Sequence, residues 1–182
     1  MKSDTVLVTG GAGFIGHHLT STLLSQGRKV KVLDDFSSGT ELPTHPLLTV
    51  IEGDMSESSV REEALHEVKS VINLAAIASV PLCESKPKLS SRVNYLAAQG
   101  LFKDAFRLGV STIIQASTSA LYGVPNELPL TEKSPTKPIG NYGLDKQKAE
   151  ESLLSFHEHP VCALRLFNVF GVGQKRDSPY SG

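Results

Sequence analysis

The sequence predicts an α/β protein whose core is a doubly wound parallel sheet. The first observation is that short apolar runs alternate along the chain with longer amphipathic stretches. The second is that runs such as Val71-Ile72 and Ile113-Ile114 are apolar at consecutive positions, which is typical of strands buried on both faces of a parallel sheet. Strands separated by helices of this length are joined by right-handed crossovers, so we expect helices on both faces of one sheet.

The first part of the chain is predicted to hold three strands and two helices. A β-rich run gives the first strand, and apolar residues at helical spacing then give a helix that Gly27 ends. Two further apolar runs give strands, and the first of them ends in a pair of acids. A helix follows, with Ser56, Ser58 or Ser59 as its N-cap. In order, these elements are Thr5 to Thr9, Phe14 to Gln26, Lys29 to Leu33, Leu47 to Ile51 and Ser56 to Glu67.

The rest of the chain continues the alternation. A fourth strand is followed by a long helical stretch that Gly109 stops. After a fifth strand, Gly123 and several prolines predict a loop. A last helix and a sixth strand complete the pattern. In order, these elements are Val68 to Ala75, Lys88 to Leu108, Thr112 to Ala116, the loop Leu121 to Pro138, Asn141 to His157 and Val161 to Phe167.

Composition and charge argue against several classes of protein. The formal net charge is −1, so no basic surplus favours nucleic acid. No apolar run has the length of a membrane span, and the short apolar run near the N-terminus does not resemble a signal peptide. We therefore expect a cytoplasmic protein in which Cys83 and Cys162 are free thiols. Apart from His157-Glu158-His159, which precedes Pro160 and is interpreted as a helix end, the histidines show no spacing typical of a metal site, so no metal is predicted.

The strongest motif is the glycine loop between the first strand and the first helix. Its glycines are Gly10, Gly13 and Gly16, at the spacing G-x-x-G-x-x-G. Gly10 permits a tight turn, Gly13 lets the backbone approach a pyrophosphate, and Gly16 lets the helix pack closely against the sheet. The N–H groups at the start of that helix favour an anion. A bare glycine pattern also fits a flexible turn, but its place between a strand and a helix favours a dinucleotide site.

A carboxylate follows where a dinucleotide site uses one. Asp34 lies at the end of the second strand, about 20 residues beyond the glycines, where it would accept hydrogen bonds from ribose hydroxyls. A carboxylate at this place repels a 2′-phosphate, so NAD is predicted as the cofactor rather than NADP. The strand, the glycine loop, the helix and this acid together predict a Rossmann-type fold.

A tyrosine and a lysine lie four residues apart in the last predicted helix. Tyr142 and Lys146 therefore fall on one face of it. A neighbouring ammonium favours the ionised form of a phenol, whose ordinary pKa is about 10. Such a tyrosine can accept a proton from a hydroxyl while a hydride passes to a nicotinamide. Taken alone, the same pair is also a common arrangement on the surface of a helix.

Together these motifs resemble those of the extended short-chain dehydrogenase/reductases, specifically the NAD-dependent sugar-nucleotide epimerase/dehydratase family. The resemblance runs from the first strand to the last residue. The matching segments, in the family's order, are Thr9 to Gly16, Leu33 to Gly39, Gly53-Asp54, Asn73 to Ala76, Val93-Asn94, Ser117 to Gly123, Tyr142 to Lys146 and Leu164 to Gly173.

The resemblance implies a role for each matched position. Thr118 would bind the reacting hydroxyl, Tyr142 would be the catalytic base and Lys146 its catalytic partner. The implied NAD-binding residues are Gly10, Gly13, Phe14, Ile15, Gly16, Asp34, Asp35, Phe36, Ser37, Ser38, Gly39, Asp54, Met55, Leu74, Ala75, Ala76, Asn94, Ser117, Tyr142, Lys146 and Phe167. The implied nucleotide-sugar-binding residues are Ser79, Thr118, Ser119 and Asn168.

Some of these implied roles are more specific. Asp54 and Met55 would flank the adenine, and Phe167 would lie near the nicotinamide. Asn94 is implied either to be structural or to contact the cofactor.

The residues after Thr118 narrow the activity that the resemblance implies. Sugar-nucleotide 4,6-dehydratases carry an Asp-Glu pair there, because elimination of water needs a further acid and base, and related decarboxylases keep the Glu. This chain has Ser119 and Ala120 instead. A 4-epimerase needs only reversible hydride and proton transfer. The segments Ala78 to Pro81 and Gly171 to Gly182 are also similar to UDP-hexose and UDP-N-acetylhexosamine 4-epimerases.

The resemblance therefore implies epimerisation of a UDP-sugar at C4, through transient oxidation to a ketosugar. A related dehydratase or reductase is the first alternative. A non-enzymatic NAD-binding module, which senses the cofactor or binds a partner, is the second.

Members of this family run well beyond the length of this chain, which ends at Gly182 within a stretch that usually continues. We therefore expect residues 1–182 to form one NAD-binding domain that lacks most of the substrate domain. Such a chain is expected to bind NAD and to turn over nucleotide-sugars weakly or not at all. The helices Lys88 to Leu108 and Asn141 to His157 form a dimer face in this family, which implies a homodimer.

Overall fold

The computed structural model describes residues 4–39 and 41–174. In these residues six strands form one sheet in the order β3-β2-β1-β4-β5-β6, and all neighbouring strands are parallel. The strands are β1 (Thr5–Thr9), β2 (Val30–Asp34), β3 (Leu48–Glu52), β4 (Val68–Asn73), β5 (Thr112–Thr118) and β6 (Val161–Leu166). This is the order of a Rossmann-type doubly wound sheet, so the predicted fold class is confirmed.

Helices pack on both faces of the sheet. Val6, Val8 and Val32 point to the face that the first helix covers, where they pack around its Leu24. Leu7 and Val71 point to the opposite face, where helices that follow the first one enclose a larger core. The helices described are α1 (Phe14–Ser25), α2 (Ser58–Leu65), α3 (Val80–Ser85), α4 (Pro87–Ser90), α5 (Ala98–Arg107) and α6 (Gly140–Leu154).

The helix predicted from Lys88 to Leu108 is present, but it is not one regular α-helix. It begins within α4, continues as a π-helical segment over Ser91–Ala97 and becomes α-helical again only in α5. Apolar periodicity does not distinguish a widened turn from a regular one, and π-helical turns occur mostly as short insertions of this kind. Within the segment, the buried Asn94 bonds to the loop that follows β4.

Several shorter predictions also need correction. The helix predicted from Ser56 begins at Ser58 with Glu57 as its N-cap, because the Ser56 N–H donates to Asp54 instead. The fourth strand, predicted within Val68 to Ala75, spans Val68–Asn73, and β5 extends beyond Ala116 to Thr118. The predicted loop from Leu121 begins inside a 3₁₀ turn over Ser119–Tyr122. The remaining helix and strand ends differ by three residues or fewer.

The segment Gly171 to Gly182 is predicted to be similar to 4-epimerases. From position 175 onward it lies outside the described residues. None of the helices in the described ranges combines the length and the apolar character that a membrane crossing requires.

Candidate active site

The winding of the sheet reverses between β1 and β4, and open α/β sheets bind their ligands beyond the carboxyl ends of such strands. The loops after these two strands nearly touch. Gly10 has a φ of 68°, and a Cβ atom on it would lie 2.7 Å from the Ala75 nitrogen. Only glycine therefore lets the loop after β1 pass so close to the loop after β4. Leu74, Ala75 and Ala76, which are predicted to line the cofactor, form that second loop and are partly buried.

The start of α1 suits an anion. Its N-cap, Gly13, has no side chain to bond to the helix, and the first turn contains no acidic residue. A Cβ atom on Gly16 would lie 2.1 Å from the Gly10 carbonyl oxygen, so this turn packs directly on the loop. N–H groups at a helix start have no partner within the helix and favour a negative charge. The arrangement fits the pyrophosphate of a dinucleotide, and Phe14 and Ile15 are the first residues of α1.

Asp34 lies at the end of β2 and joins two segments that are predicted to bind the cofactor. Its Oδ2 accepts a hydrogen bond from the Ala12 N–H at 2.9 Å, and its Oδ1 accepts one from the Phe36 N–H at 2.9 Å. A Cβ atom on Gly39 would lie 2.6 Å from the Ala12 Cβ, so the segment after β2 returns to the glycine loop. The predicted cofactor-binding residues of this segment are Asp35, Phe36, Ser37, Ser38 and Gly39.

Asp54 and Met55, which are predicted to flank the adenine, lie beside this segment. The N–H of the residue before Asp54 donates to the Asp34 carbonyl oxygen at 2.9 Å. The Asp54 carboxylate accepts hydrogen bonds from the Ser56 N–H and from Arg92 Nη1, both at 2.8 Å. Burial opposes ionisation of this carboxyl, but these donors outweigh it and lower the pKa of Asp54. Met55 is buried in the core.

Thr118, Tyr142 and Lys146 come from two elements that are bonded to each other. Thr118 ends β5, and its Oγ1 accepts a hydrogen bond from the Ala120 N–H at 3.1 Å. Helix α6 carries Tyr142 and, one turn later, Lys146, which is 3% exposed. Lys146 Nζ donates to the Ala116 carbonyl oxygen at 2.5 Å. This bond joins the helix that carries the predicted base to the strand that carries the predicted threonine.

The ammonium of Lys146 is held in an environment that disfavours its charge. Burial lowers the pKa of Lys146 from 10.5 to about 8, although the negative charge of Glu150 opposes this shift. The ammonium is still the major form at neutral pH. A cation one helical turn from Tyr142 favours the phenolate, as a tyrosine acting as a base requires.

We expect Lys146→Met to stabilise the folded chain, and to do so most below pH 8. The pKa of Lys146 is about 8 in the folded chain and 10.5 as an ordinary value, so the unfolded state binds more protons between these limits. The stability of the parent chain therefore rises with pH across this window. Below it, the buried charge costs roughly 3 kcal/mol, which methionine avoids. Urea unfolding on both sides of the window measures the difference.

The matched control is Lys148→Met, on the same helix but at an exposed position. Its effect on the free energy of unfolding is expected to be small and independent of pH. A stabilisation by Lys146→Met that stays constant across the window would contradict the account of a buried ammonium.

The sequence model of the NAD dependent epimerase/dehydratase family matches residues 6–181, nearly the whole chain. The chain belongs to this family. Epimerases and dehydratases are therefore the proteins with which its site is compared. The features in question are the glycine loop, the carboxylate at the end of β2 and the helix that carries Tyr142 and Lys146.

The relatives of this family member include sugar-nucleotide 4-epimerases. A UDP-glucose 4-epimerase from Azospirillum brasilense is 33% identical, over 93% of this chain and 50% of its own. The solved UDP-N-acetylglucosamine 4-epimerase from Methanobrevibacter ruminantium M1, in complex with UDP-N-acetylmuramic acid, is 37% identical with a TM-score of 0.92, over 100% of this chain and 60% of that one. The UDP-glucose 4-epimerase from Thermus thermophilus, in complex with NAD, is 32% identical with a TM-score of 0.89. The match covers 97% of this chain and 59% of that one. The chain spans about half the length of the curated relatives it matches.

The residues of this family member that are predicted to bind a nucleotide-sugar follow the ends of β4, β5 and β6. Ser79 is the N-cap of α3, where its hydroxyl accepts a hydrogen bond from the Leu82 N–H at 3.3 Å. Ser119 begins the 3₁₀ turn, and Asn168 is exposed just after β6. Phe167 is 61% exposed and lines a groove of about 620 Å³ with Leu128, Pro129 and Leu130. The four residues predicted to bind the sugar thus lie at or just beyond the carboxyl ends of strands, Thr118 as the last residue of β5.

Asn94 has a structural contact in this family member. Its Oδ1 accepts a hydrogen bond from the Ile77 N–H at 2.8 Å, and its Nδ2 donates to the Ile77 carbonyl oxygen at 3.1 Å. The side chain is 1% exposed. Of the two roles implied for Asn94, these bonds favour the structural one, because they hold the loop after β4 in place.

An ion pair that sequence reasoning missed lies behind Lys146. Ser117, predicted to contact NAD, donates its hydroxyl to Glu150 Oε2 at 2.5 Å. Arg165 in β6 donates to Glu150 Oε1 from Nη2 at 2.6 Å, and from Nη1 to the Tyr122 hydroxyl at 3.1 Å. The hydrogen bond with Glu150 raises the pKa of Arg165. The signal in the sequence is that Glu150 lies one helical turn after Lys146, on the same face.

Buried polar side chains that sequence reasoning also missed cross the ends of the central strands. Thr9 Oγ1 donates to Asn73 Oδ1, and Asn73 Nδ2 donates to Gln115 Oε1 at 2.5 Å. Gln115 Nε2 then donates at 2.8 Å to the Ala116 carbonyl oxygen, which also accepts from Lys146. This polar chain links the strand before the glycine loop to the predicted catalytic lysine. Its signal in the sequence is a polar residue at the end of each apolar run.

Proposed function

We propose that this chain is the NAD-binding and catalytic part of a nucleotide-sugar 4-epimerase. The proposed substrate is a UDP-hexose or a UDP-N-acetylhexosamine, which is oxidised transiently at C4 to a ketosugar. The observation that carries the proposal is the bond of 2.5 Å from Lys146 to the end of β5, with Tyr142 one turn earlier on the same helix. The similarity to proteins named as UDP-glucose and UDP-N-acetylglucosamine 4-epimerases supports the choice of reaction.

Each residue of the site has a role in this proposal. NAD, when bound, supplies the acceptor and donor of the hydride. The glycine loop binds its pyrophosphate at the start of α1, and Asp34 accepts hydrogen bonds from its ribose. Tyr142 accepts the proton of the sugar hydroxyl and later returns it, while the Lys146 ammonium stabilises the phenolate in between. Thr118 bonds to the same hydroxyl and fixes its direction.

Elimination of water is less well supported as the reaction. A dehydratase needs a further acid and base for the elimination itself, beyond those that oxidise C4, and the positions after Thr118 are occupied by Ser119 and Ala120. The nearby carboxylate on α6, Glu150, is 4% exposed and bonded to Arg165 and Ser117. A carboxylate fixed in this way has no access to a substrate. Reversible oxidation, which needs only Tyr142 and its partners, therefore fits the residues best.

We expect Asp34→Asn to weaken NAD binding about 10- to 100-fold, because the ribose loses a charged acceptor whose bonds are worth roughly 1.5–3 kcal/mol. The ratio of the NAD affinity to the NADP affinity should fall at the same time, because the 2′-phosphate of NADP is no longer repelled by a negative charge. Titration calorimetry with both cofactors measures the two effects. The control is Asp4→Asn, since Asp4 lies before the start of β1, at the opposite edge of the sheet, where it accepts a hydrogen bond from Lys69. It is expected to leave the ratio of the two affinities unchanged. An unchanged ratio in Asp34→Asn would contradict the proposed role.

The reaction itself is tested by supplying UDP-glucose or UDP-N-acetylglucosamine with NAD and no reduced cofactor. A 4-epimerase interconverts each sugar with its C4 epimer and leaves the cofactor unchanged after each turnover. In a parallel assay with reduced cofactor added, a reductase consumes that cofactor, whereas a binding module shows neither reaction. Because the chain spans 60% of the Methanobrevibacter enzyme, the assay is run on the chain alone and on the chain fused to the C-terminal part of that enzyme.

We expect the chain alone to bind NAD and to give weak epimerisation or none. The fusion is expected to give robust epimerisation that depends on Tyr142. Absence of NAD binding by the folded chain would overturn the proposal, and so would net consumption of reduced cofactor by the fusion.

A further inference from the structure

The buried carboxylate of Glu150, on α6, accepts hydrogen bonds from two strands. It follows Lys146 by one turn of α6 and is 4% exposed. From β6, Arg165 donates to Oε1 from Nη2 at 2.6 Å and from Nε at 3.1 Å. From β5, Ser117 donates to Oε2 at 2.5 Å. The residue before Ser117 supplies the carbonyl oxygen that accepts from Lys146. One strand end thus orients both the acid and the ammonium.

We propose that Glu150 is a positioning residue that keeps Lys146 as an ammonium beside Tyr142, and that Arg165 limits how strongly it does so. The consequence for catalysis rests on the proposed function, whereas the effect on Lys146 itself does not. The physical reason is that two cations lie near one buried negative charge: Arg165 is bonded to it, and Lys146 lies one helical turn from it. Lys146 gains from the carboxylate, but the guanidinium neutralises part of that charge and adds its own repulsion.

Within residues 4–39 and 41–174, the other acidic side chains packed between α6 and its neighbouring helices are bonded elsewhere. Asp145 accepts a hydrogen bond from the Ser90 hydroxyl at 2.6 Å, toward α4. Glu84, from α3, accepts hydrogen bonds from Asn141 at the start of α6. The tyrosines that face this region are Tyr142 on α6, Tyr122 in the 3₁₀ turn and Tyr95 in the π-helical segment, below Lys148. Glu150 is accordingly the carboxylate whose charge acts on Lys146, which agrees with the opposing effect of Glu150 on the lowered pKa of Lys146.

The alternative is that Glu150 and Arg165 form an ion pair that only fastens α6 to β6. Glu150→Gln and Arg165→Gln distinguish the two accounts, because both break the same pair. If the pair only holds α6 against β6, both variants shift the pKa of Lys146 in the same direction or leave it unchanged. If Glu150 sets the charge of Lys146, the variants have opposite effects. Glu150→Gln leaves two cations without their anion, and Arg165→Gln gives the whole carboxylate to Lys146.

The experiment is an NMR titration of the 182-residue chain without cofactor, labelled at lysine Cε, with the Lys146 signal assigned through Lys146→Arg. We expect Glu150→Gln to weaken proton binding by Lys146 about tenfold, so that its pKa falls, and Arg165→Gln to raise it. The matched control is Arg165→Lys, which keeps the cation but loses the two-point bond, and is expected to leave the Lys146 titration close to that of the parent chain.

Shifts in the same direction, or no shift in folded variants, would overturn the inference. Should Glu150→Gln fail to fold, the comparison of Arg165→Gln with Arg165→Lys still decides, because only the first removes a charge. NAD binding by the parent chain is measured in parallel. Loss of that binding counts against the proposed function alone, and unchanged Lys146 titrations count against this inference alone.

Discussion

Gly16→Ala is expected to abolish NAD binding, with a loss of affinity of more than about 100-fold. A Cβ atom at this position would lie 2.1 Å from the Gly10 carbonyl oxygen and 2.6 Å from the Gly11 Cα. Both are backbone atoms, so no side chain can turn aside and the first turn of α1 must move away from the loop. The N–H groups proposed to bind the pyrophosphate move with it. The free energy of unfolding should fall by about 3 kcal/mol.

Gly27→Ala is the matched control, at the other end of the same helix. Gly27 has a φ of 72°, but a Cβ atom on it would have nothing within 4 Å. The variant is expected to lose about 1 kcal/mol of stability through its backbone conformation alone and to bind NAD as the parent chain does. Calorimetry of NAD binding and urea unfolding measure both variants. Unimpaired NAD binding by Gly16→Ala would show that the cofactor does not use this helix start.

Tyr142→Phe is expected to slow sugar oxidation about a thousandfold while leaving NAD affinity within about twofold of the parent value. The substitution keeps the ring and removes the hydroxyl, so the proposed proton acceptor is lost without a change in packing. Single-turnover formation of reduced cofactor from a UDP-sugar, in the fusion with the Methanobrevibacter C-terminal part, measures the chemical step.

Tyr122→Phe provides the comparison, because this tyrosine is also near the end of β5. Its hydroxyl is bound to Arg165 Nη1 at 3.1 Å, and the residue is 4% exposed. Its removal is expected to change the oxidation rate only a few-fold. Equal losses in the two variants would point to a general disturbance of the site, and a fully active Tyr142→Phe would remove Tyr142 from the proposed chemistry.

The fold could be predicted because its signals are local. Each strand is a short apolar run, each helix has its own periodicity, and Gly10, Gly13 and Gly16 mark the turn between the first two elements. A parallel sheet with right-handed crossovers then leaves few arrangements open. The positions of Tyr142 and Lys146 on one helix face followed from their spacing alone. The bond from Lys146 to Ala116 did not, since it depends on how α6 packs against β5.

Contacts between residues that are distant in sequence could not be predicted. Glu150 and Ser117 are 33 positions apart, and Asn73 and Gln115 are 42 apart. The sequence around each of these residues does not indicate which distant residue it bonds to. The π-helical segment over Ser91–Ala97 could not be predicted for the same reason. Its Asn94 side chain bonds to Ile77, which lies outside the segment. Such features depend on tertiary packing, which periodicity does not encode.

The polar chain from Thr9 to the Ala116 carbonyl runs in one direction only. Each amide accepts from the residue before it and donates to the residue after it. A carboxylate at Asn73 or Gln115 has no N–H to pass on, and an apolar residue leaves a buried neighbour unpaired at about 1–3 kcal/mol. Redesign of these strand ends must therefore treat Thr9, Asn73 and Gln115 as a single unit. A library that varies all three positions at once can find working combinations. Stepwise substitution cannot reach them, because each single change destabilises the chain.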